Sequence, residues 1–430
     1  MLGCNVKQSE IEGWTVRFLR AFALSVVPLC LVAYPASAST PKPTLEGRAV
    51  LPAATYAPGP PAGSFFAGQT INGISFPTPS QPVEGFSSVL SGRTPGEFLA
   101  MPDNGFGAKA NSRDFLIRAY YIEPDFKTAN GGTGAVTVKD FIQFRDPNGV
   151  IGFPIVNAAT TERLLTGGDI DPESMQRGSN GDLWVGEEFG PWVLHFDPTG
   201  VLLEPPFPVP GSLVQPTVPG SLMSPNNPFL VPPATATQPN SRGFEAMSST
   251  PDGQHLYPIL EGATVVDPDT RRRFMFEFSI ADGEFTGRVW QYHTEQPGYF
   301  VADMWALDQH RMVVIERDGG RGLTAVFRNV YVVDLRDVGP DGFLEKHKAV
   351  DLTAIPDPDL VSLPPLHAGD VRLGDPFGVA CESIEAIHVI DAERLLLGCD
   401  NNLPNTGRNP SLADDNEFIV VKVPGLKSLN

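Results

Sequence analysis

The sequence predicts an all-β protein, a single β-propeller of five or six four-stranded antiparallel blades with long loop insertions. A short unit bearing a carboxylate recurs five times along the chain. Each copy is followed by apolar runs of strand length, separated by residues typical of tight turns, and no long amphipathic helical pattern occurs. Repeated four-stranded units of this kind are typical of propellers, in which equivalent residues gather around one axis.

The N-terminus has the order of charged and apolar residues that is typical of a secretory signal peptide. Basic residues up to Arg20 precede an apolar run at 21–34, and small residues follow at 36–38. The run is shorter than the ~20 apolar residues that a membrane-spanning helix needs. We therefore expect cleavage after Ala38, a periplasmic or secreted protein, and no membrane association after cleavage. An uncleaved anchor is the alternative.

The chain is strongly acidic. Its 31 Lys and Arg residues stand against 50 Asp and Glu residues, for a formal net charge of −19. Such a chain repels nucleic acid and anionic membrane surfaces, so we expect no nucleic-acid partner. We expect a monomer that binds a small ligand, and acidic clusters that need cations if they converge.

Two segments of unusual composition set the domain boundaries. Residues 39–62 are rich in Pro, Ala and Thr and predict a flexible lead-in. The propeller domain then covers residues 63–430. Within it, residues 204–240 contain eleven prolines without a period of 2 or 3.6, which predicts a long ordered loop or a lid rather than core.

The second repeat illustrates the predicted blade. Its four strands would contain Glu173, residues 183–187, residues 192–196 and residues 201–203, with a hairpin turn at 180–181. The spacing between repeats is 58 to 89 residues, longer than the ~40–50 of regular propeller repeats. Loops are therefore inserted, or a blade without the motif lies between two copies, and the blade number stays at five or six.

The five motif carboxylates are Glu84, Glu173, Glu245, Asp303 and Glu385. In a propeller the innermost strand of each blade lines the central channel, so carboxylates on those strands would face one another. Like charges at close range raise one another's pKa, and a hard divalent cation relieves the repulsion. Oxygen ligands without His or Cys favour Ca²⁺, with Mg²⁺ as the second choice. For any single carboxylate, a structural role or a pair with Arg stays open.

Two cysteines follow the predicted signal peptide. Cys381 and Cys399 flank the last carboxylate motif, and an exported protein with two cysteines is expected to pair them in a disulfide. A catalytic thiol is the alternative, but no His lies within that motif.

Other chemistry has less support. The sequence contains neither a Gly-x-Ser-x-Gly elbow nor a His-Glu-x-x-His pair. Two arginines lie beside acidic motifs: Arg242 precedes Glu245 by three residues, and Arg317 stands between Glu316 and Asp318. Arginine suits bidentate binding of phosphate or carboxylate oxygens, although an Arg–Glu pair that fixes neighbouring blades would leave the same pattern.

Several short stretches recur in an order that carries a resemblance: 171–174, 182–191, 241–247, 251–253, 260–262, 315–320, 385–387 and 400–402. In this order they resemble the exported phytase-like proteins described by the "esterase-like activity of phytase". The resemblance covers roughly residues 64–424. The chain departs from the usual pattern at Ser174 and Ala246, where Gly is common, and at Asp303, which replaces Glu.

The resemblance implies a set of functional residues. The implied channel carboxylates are Glu173, Glu245 and Glu385, and the implied site residues are Glu188, Arg242, Glu316 and Arg317. The first hypothesis is a metal-dependent phosphoesterase in which Arg residues hold the phosphate and Glu188 acts as base. The alternatives are a non-catalytic, Ca²⁺-stabilised propeller that binds a ligand or partner, and a lactonase or carboxylesterase on a similar propeller.

Overall fold

The computed structural model describes residues 42–429. The predicted signal peptide at 1–38 lies outside the described residues. The strands are, in chain order, β1 (Thr44–Leu51), β2 (Tyr56–Ala57), β3 (Thr70–Ile71), β4 (Ile74–Ser75), β5 (Gln81–Pro82), β6 (Phe86–Ser91), β7 (Phe98–Pro102), β8 (Arg118–Asp125), β9 (Ala135–Gln143), β10 (Pro172–Arg177), β11 (Leu183–Glu187), β12 (Trp192–Phe196), β13 (Phe207–Pro208), β14 (Phe244–Ser249), β15 (His255–Leu260), β16 (Arg272–Ser279), β17 (Glu284–His293), β18 (Phe300–Ala306), β19 (Arg311–Arg317), β20 (Arg328–Val338), β21 (Leu344–Asp351), β22 (Ser383–Val389), β23 (Arg394–Asp400) and β24 (Asn416–Lys422).

Helix is almost absent from this part of the chain. It is limited to four three-residue 3-10 helices: Ser64–Phe66, Gly211–Leu213, Gly322–Thr324 and Leu426–Ser428. Among the described residues, no helix has the length and apolar character needed to cross a bilayer.

The larger strands form five four-stranded antiparallel units. Sheet 1 is β6–β9, sheet 2 is β10–β13, sheet 3 is β14–β17, sheet 4 is β18–β21, and sheet 5 combines β22, β23 and β24 with β1. Sheets 1 and 5 join through one parallel bridge between Val50 and Ala135. The prediction of an all-β chain built from four-stranded antiparallel sheets is confirmed.

The first strands of the five sheets pack side by side in a closed ring. Each of β6, β10, β14, β18 and β22 contacts the next, and β22 returns to β6. The sequence supports burial on both faces: β19 is an almost continuous apolar run and is buried from Met312 to Arg317. The core lies between adjacent sheets. Met275 of sheet 3 and Met304 of sheet 4, for example, belong to one apolar cluster.

Strand β1 corrects the prediction of a flexible lead-in. Residues 44–51 form the outer strand of sheet 5, paired with β24 along its length, and Ala49 and Leu51 are buried. Four further two-residue strands, β2 to β5, follow before β6. The composition of this segment is typical of a loop, and its pairing strand β24 lies near the other end of the described chain. Arg48 and Glu417, for example, are 369 residues apart in sequence, so no local pattern indicates the strand.

A buried ion-pair network fixes β1 to sheet 5. Glu417 on β24 accepts a hydrogen bond from Arg48 Nε at 2.5 Å. It also accepts two from Arg408, through Nε at 3.0 Å and Nη2 at 2.5 Å. All three side chains are buried, so each charge depends on its partners.

Two other predictions concern the loops and the cysteines. Cys381 and Cys399 form the predicted disulfide. The Pro-rich segment 204–240 is held against sheets 2 and 3: Ser224 Oγ donates to the carbonyl of Phe189 at 2.7 Å, and Gln238 Nε2 donates to that of Gly262 at 3.2 Å.

We expect Glu417→Gln to lower the free energy of unfolding by about 3–5 kcal/mol, because it leaves two buried guanidinium groups without a countercharge. Urea denaturation measures the difference. The matched control is Glu46→Gln on β1, the strand that pairs with β24. This variant removes a partly exposed partner of Arg394 and should cost at most about 1 kcal/mol. Equal losses in the two variants would contradict the assignment.

The same variant should change the acid limb of stability. Burial raises the pKa of Glu417, but the charges of Arg408 and Arg48 outweigh it and hold the pKa below its ordinary value. Its ionised form therefore stabilises the fold above about pH 4.3, and that contribution disappears as the pH falls through the lower folded-state pKa. Glu417→Gln should lose less stability over this acidic window than the parent protein, as measured by urea midpoints from pH 6 downward.

Candidate active site

A β-bulge occurs in the first strand of every sheet, at or beside the carboxylate motif. The pairing of first and second strands shifts between Phe86 and Ser88, Pro172 and Ser174, Phe244 and Ala246, Val301 and Met304, and Ile384 and Ala386. A bulge leaves one residue unpaired and re-aims its side chain. Glu173, Glu245 and Glu385 are the bulged residues of sheets 2, 3 and 5.

The ring of first strands brings these three glutamates together. Each of Glu173, Glu245 and Glu385 offers one carboxylate oxygen, and the three oxygens lie within 4.8 Å of one another. All three side chains are buried. The convergence predicted for these positions is therefore present in the structure.

A second set of carboxylates joins them from the ends of the second strands. In an antiparallel hairpin the end of the second strand returns to the start of the first, as Ser383 paired with Asp400 illustrates. Asp171, just before β10, completes the group. Together they line one cavity of about 130 Å³, the acidic cavity, whose eight carboxylates are Asp103, Asp171, Glu173, Glu188, Glu245, Glu261, Glu385 and Asp400.

Four of these carboxylates were not assigned to the site by sequence reasoning: Asp103, Asp171, Glu261 and Asp400. For Asp103, Glu261 and Asp400 the signal was available, because an acidic cluster ends the second run of each repeat and the predicted hairpins return those clusters to the motif. Some also close their own turns: Asp103 Oδ1 accepts the N–H of Gly105 at 2.7 Å, and Asp400 Oδ1 accepts the N–H of Asn402 at 2.6 Å. A turn-forming carboxylate and a cavity-lining carboxylate are thus the same residue.

Crowding changes the proton affinity of the group. Burial, followed by the charge of Glu245, raises the pKa of Glu173 well above its ordinary value. Burial and then Glu385 do the same to the pKa of Glu245. Burial raises the pKa of Asp171 to about 6, against hydrogen bonds that lower it. Without added positive charge, the acidic cavity holds protons that isolated carboxylates would release.

Glu188 lies at the junction of two carboxylate groups. One group contains Asp171 and Glu173, and the other contains Glu245 and Glu261, with ligand-type oxygens within 4.8 Å in each. Glu188 Oε1 accepts the N–H of Gly243 at 2.9 Å. Burial, then Glu261, raises its pKa well above the ordinary value.

Arg317 is buried inside the acidic cavity. Its Nη2 lies 2.5 Å from Glu385 and farther from two other carboxylates, 3.5 Å from Glu261 and 3.7 Å from Glu245. Arg317 therefore compensates charge within the cluster. Its Nε is buried without a partner among the described residues.

Arg242 lies at the same cavity but is more open. It donates to Glu261 through Nη1 at 2.6 Å, and 35% of its side chain is exposed. Phe300 lies against both arginines, with its ring centroid 4.5 Å from Cζ of Arg242 and 5.1 Å from Cζ of Arg317. The contacts with Glu261 and Phe300 restrain the guanidinium plane of Arg242.

Glu84 does not take the position that the repeat predicted. The bulge of sheet 1 is at Ser87, three residues later, and Ser87 Oγ donates to Glu385 Oε2 at 3.3 Å. Glu84 is fully buried, and neither carboxylate oxygen has a hydrogen-bond partner in the described chain. Burial, then Asp103, raises its pKa well above the ordinary value. It lies behind the cavity wall.

Asp303 and Glu316 also lie outside the lining of the acidic cavity. Asp303 Oδ2 accepts the N–H of Ile387 at 2.8 Å, which ties β18 to β22. Glu316 accepts hydrogen bonds from Tyr292 at 2.7 Å and from Lys346 at 2.7 Å. The repeat predicts Asp303 as a channel carboxylate and the resemblance implies Glu316 as a site residue, whereas their hydrogen-bond partners hold both in the packing around the cavity.

The donor set fits a hard divalent cation. The cavity offers carboxylate oxygens and no His or Cys, which suits Ca²⁺ or Mg²⁺. Glu245 Oε1 is buried without a hydrogen bond among the described residues. A buried acceptor left without a donor costs free energy, and a cation would supply the missing partner.

Comparison with known proteins bears on this arrangement. A family model described as "Phytase-like: Esterase-like activity of phytase" matches residues 81–403. An uncharacterized secreted protein of Arthroderma benhamiae is 26% identical over 175 residues, which cover 37% of this chain and 33% of the relative. The match thus spans about a third of the length of that curated relative.

The solved structures that match this chain share little sequence with it. A luciferin-regenerating enzyme has a TM-score of 0.35 at 10% identity, covering 80% of each chain. A Dos1 propeller has a TM-score of 0.30 at 9% identity, covering 80% of this chain and 68% of the other. A streptogramin B lyase has a TM-score of 0.30 at 11% identity, covering 79% and 66%. These identities are too low to indicate a shared function.

We expect Ca²⁺ to raise the unfolding temperature relative to EDTA, by an amount that Glu245→Gln reduces. A cation that binds only the folded state stabilises it by about 2.7 kcal/mol at a concentration 100-fold above Kd, and the variant loses one ligand. In EDTA the variant should be at least as stable as the parent, because one repulsive charge is gone. Scanning calorimetry measures both effects.

The matched control for this prediction is Glu284→Gln, a neutralisation at an exposed position of β17. It should keep the full response to Ca²⁺. A parent protein whose unfolding temperature is the same in Ca²⁺, Mg²⁺ and EDTA would contradict a cation site in the acidic cavity.

Proposed function

The chain belongs to the phytase-like family described by the esterase-like activity of phytase, and we propose that it is an exported, metal-dependent hydrolase of phosphate esters. The observation that carries the proposal is a cavity in which eight carboxylates converge beside two arginines. A cation and an anionic substrate can meet there. We further propose that the five sheets are the blades of a single propeller whose channel opens at this cavity.

Three carboxylates are the best candidates to hold the cation. Glu173, Glu245 and Glu385 come from the first strands of three different sheets. A cation between them would therefore be coordinated by three strands of the closed ring. Glu188 and Asp171 extend the same oxygen surface. When bound, a divalent cation neutralises these charges, stabilises negative charge on a phosphoryl group and acidifies water beside it.

Arg242 is the best candidate to bind the phosphate. Its contacts with Glu261 and Phe300 restrain the guanidinium, and the residue lines the cavity with 35% of its side chain exposed. A planar guanidinium binds two phosphate oxygens at once. Arg317 would contribute differently, by keeping the carboxylates behind it close together, since Nη2 is already shared by three of them.

Glu188 is the best candidate for proton transfer. Its Oε1 is fixed by the N–H of Gly243, which leaves Oε2 to exchange a proton with water. Its raised pKa moves it toward the working pH, where a general base is most effective. Neighbouring positive charge would lower that pKa again and set the final value.

Export is supported by three observations. The N-terminal residues have the order of a signal peptide, the two remaining cysteines form a disulfide, and the Arthroderma benhamiae relative is named a secreted protein. We propose a periplasmic or secreted location on these grounds.

A non-catalytic role is the second candidate. The contacts of Arg317 Nη2 with three buried carboxylates favour it, because a cation added to such a cluster could serve stability alone. In that case Ca²⁺ would raise the unfolding temperature without any turnover, and the protein would bind a ligand or a partner at its acidic face.

We expect release of inorganic phosphate from p-nitrophenyl phosphate and from phytate when Ca²⁺ or Mg²⁺ is present, and none in EDTA. Arg242→Lys should lower kcat/KM about 10- to 100-fold, because a point charge replaces a bidentate donor. Arg288→Lys, at an exposed position on sheet 3, is the matched control. Hydrolysis of lactones or p-nitrophenyl acetate but not of phosphate esters would contradict the phosphoesterase and favour a lactonase or carboxylesterase.

We also expect Glu188→Gln to lower kcat about 10²- to 10⁴-fold while the protein remains folded and keeps a thermal response to Ca²⁺. Steady-state kinetics and calorimetry on the same preparation separate the two effects. Full turnover in Glu188→Gln would remove Glu188 from the proton-transfer role. A Ca²⁺ response with no turnover on any phosphate ester would favour the second candidate.

A further inference from the structure

A second and larger cavity lies at the opposite end of the ring of first strands. The acidic cavity is at the start of these strands, around residues 171–173, 243–245 and 383–385. The second cavity, here called the far cavity, has a volume of about 360 Å³. It lies where the strands end, and the residues that define it here are Leu90, Arg177, Ser179, Ser249, Asp252 and Trp305. The volume is in the lower part of the ~300–1,000 Å³ range of small-molecule sites.

The side of the far cavity is built by two hairpin turns that touch each other. They are the turn after β10 and the turn after β14. Gly253 has φ +66°, and a Cβ at this position would lie 2.9 Å from the backbone nitrogen of Ser179. Only glycine allows the two turns to approach this closely without strain. The cavity wall is thus fixed by backbone rather than by movable side chains.

One wall of the far cavity is aromatic. Trp305 is half-buried at the end of β18, and its ring meets that of His388 at 4.3 Å and 71°. His388 Nε2 also lies 3.2 Å from Ser91 Oγ, so one buried imidazole supports two neighbouring wall residues. Burial lowers the pKa of His388 to about 4, and the support is therefore uncharged near neutral pH.

The polar groups of the far cavity carry opposite charges. Arg177 is exposed and has no hydrogen bond or ion pair with any described residue. Asp252 accepts hydrogen bonds from Thr250 Oγ1 at 2.6 Å, from the N–H of Gln254 at 3.1 Å and from Gln309 Nε2 at 3.3 Å, which leaves about one further acceptor position on the carboxylate. Ser179 adds a hydroxyl without a partner in the described chain. The cavity thus presents a free donor, an acceptor and a group that is both.

We propose that the far cavity binds a neutral polyhydroxylated ring of pyranose size, with its C–H face on Trp305 and its hydroxyl groups on Arg177, Ser179 and Asp252. A sugar hydroxyl donates and accepts hydrogen bonds, so it matches a wall that offers both functions. Trp305 and Leu90 cover the apolar face of such a ring.

A charged ligand fits this cavity less well. An anion beside Arg177 would also meet Asp252, and a cation beside Asp252 would also meet Arg177, so one contact is repulsive in either case. The proposal is independent of phosphate chemistry, because none of these residues lines the acidic cavity.

Isothermal titration calorimetry of the full protein tests the proposal, with D-glucose, D-galactose and D-mannose up to about 50 mM, a ceiling that covers Kd values in the millimolar range. We expect saturable binding of at least one sugar. Arg177→Gln should weaken it about 10-fold or more, the loss of one hydrogen bond to a charged group. Methyl glycosides and oligosaccharides in the same titration distinguish a free monosaccharide from the terminal residue of a glycan.

Controls decide where the sugar binds. Arg336→Gln, at an exposed position of β20, and Glu245→Gln in the acidic cavity should both leave the affinity unchanged. Arg177 is exposed and unpaired, so Arg177→Gln is expected to fold even if Asp252→Asn disturbs its turn. The proposal is overturned if no sugar gives saturable heat, or if Arg177→Gln binds the sugar with the same affinity as the parent protein. It is also overturned if benzoate, an anionic probe, or benzylamine, a cationic probe, binds in the same titration and no sugar does.

Discussion

Mutual repulsion among buried carboxylates is the constraint on which the rest of this structure depends. Eight of them share a cavity of about 130 Å³ with two arginines, and the raised pKa values of Glu173 and Glu245 record the cost of crowding such groups away from water. The ring of first strands is what forces this proximity, because each sheet contributes from a fixed direction. The bulges of sheets 2, 3 and 5 then aim Glu173, Glu245 and Glu385 into the cavity.

The same protein also contains the opposite solution to a buried charge. Around Glu417, two arginines surround one carboxylate with direct hydrogen bonds, and the pKa falls below its ordinary value. That network is satisfied by its own members and closes sheet 5 with β1. In the acidic cavity Arg317 can compensate only part of the charge, so the remainder requires protons or a cation from solvent. The first arrangement serves stability, and the second leaves capacity for binding.

Sequence reasoning recovered much of the fold and part of the site. The carboxylates Glu173, Glu245 and Glu385 were placed correctly because the motif fixes their position in equivalent first strands. The prediction that Glu84 faces the channel was wrong, because a repeat in the sequence does not show where the bulge occurs. In sheet 1 the bulged residue is Ser87. Glu316 does not line the cavity, because Tyr292 and Lys346, which donate hydrogen bonds to its carboxylate, come from other strands. Asp103, Glu261 and Asp400 were within reach, since an antiparallel hairpin returns each of them to its motif.

The sequence by itself determined the all-β class, the four-stranded repeat, the disulfide partners and the residue types that converge. These follow from local periodicity and composition, which act over a few residues. Only the tertiary structure decided that residues 44–51 complete sheet 5 and that Arg317 contacts three buried carboxylates. It also decided that Arg177 and Asp252, which carry opposite charges, line the far cavity. Each of these depends on contacts between residues distant along the chain, whose distances are set by strand register and ring closure rather than by any local pattern.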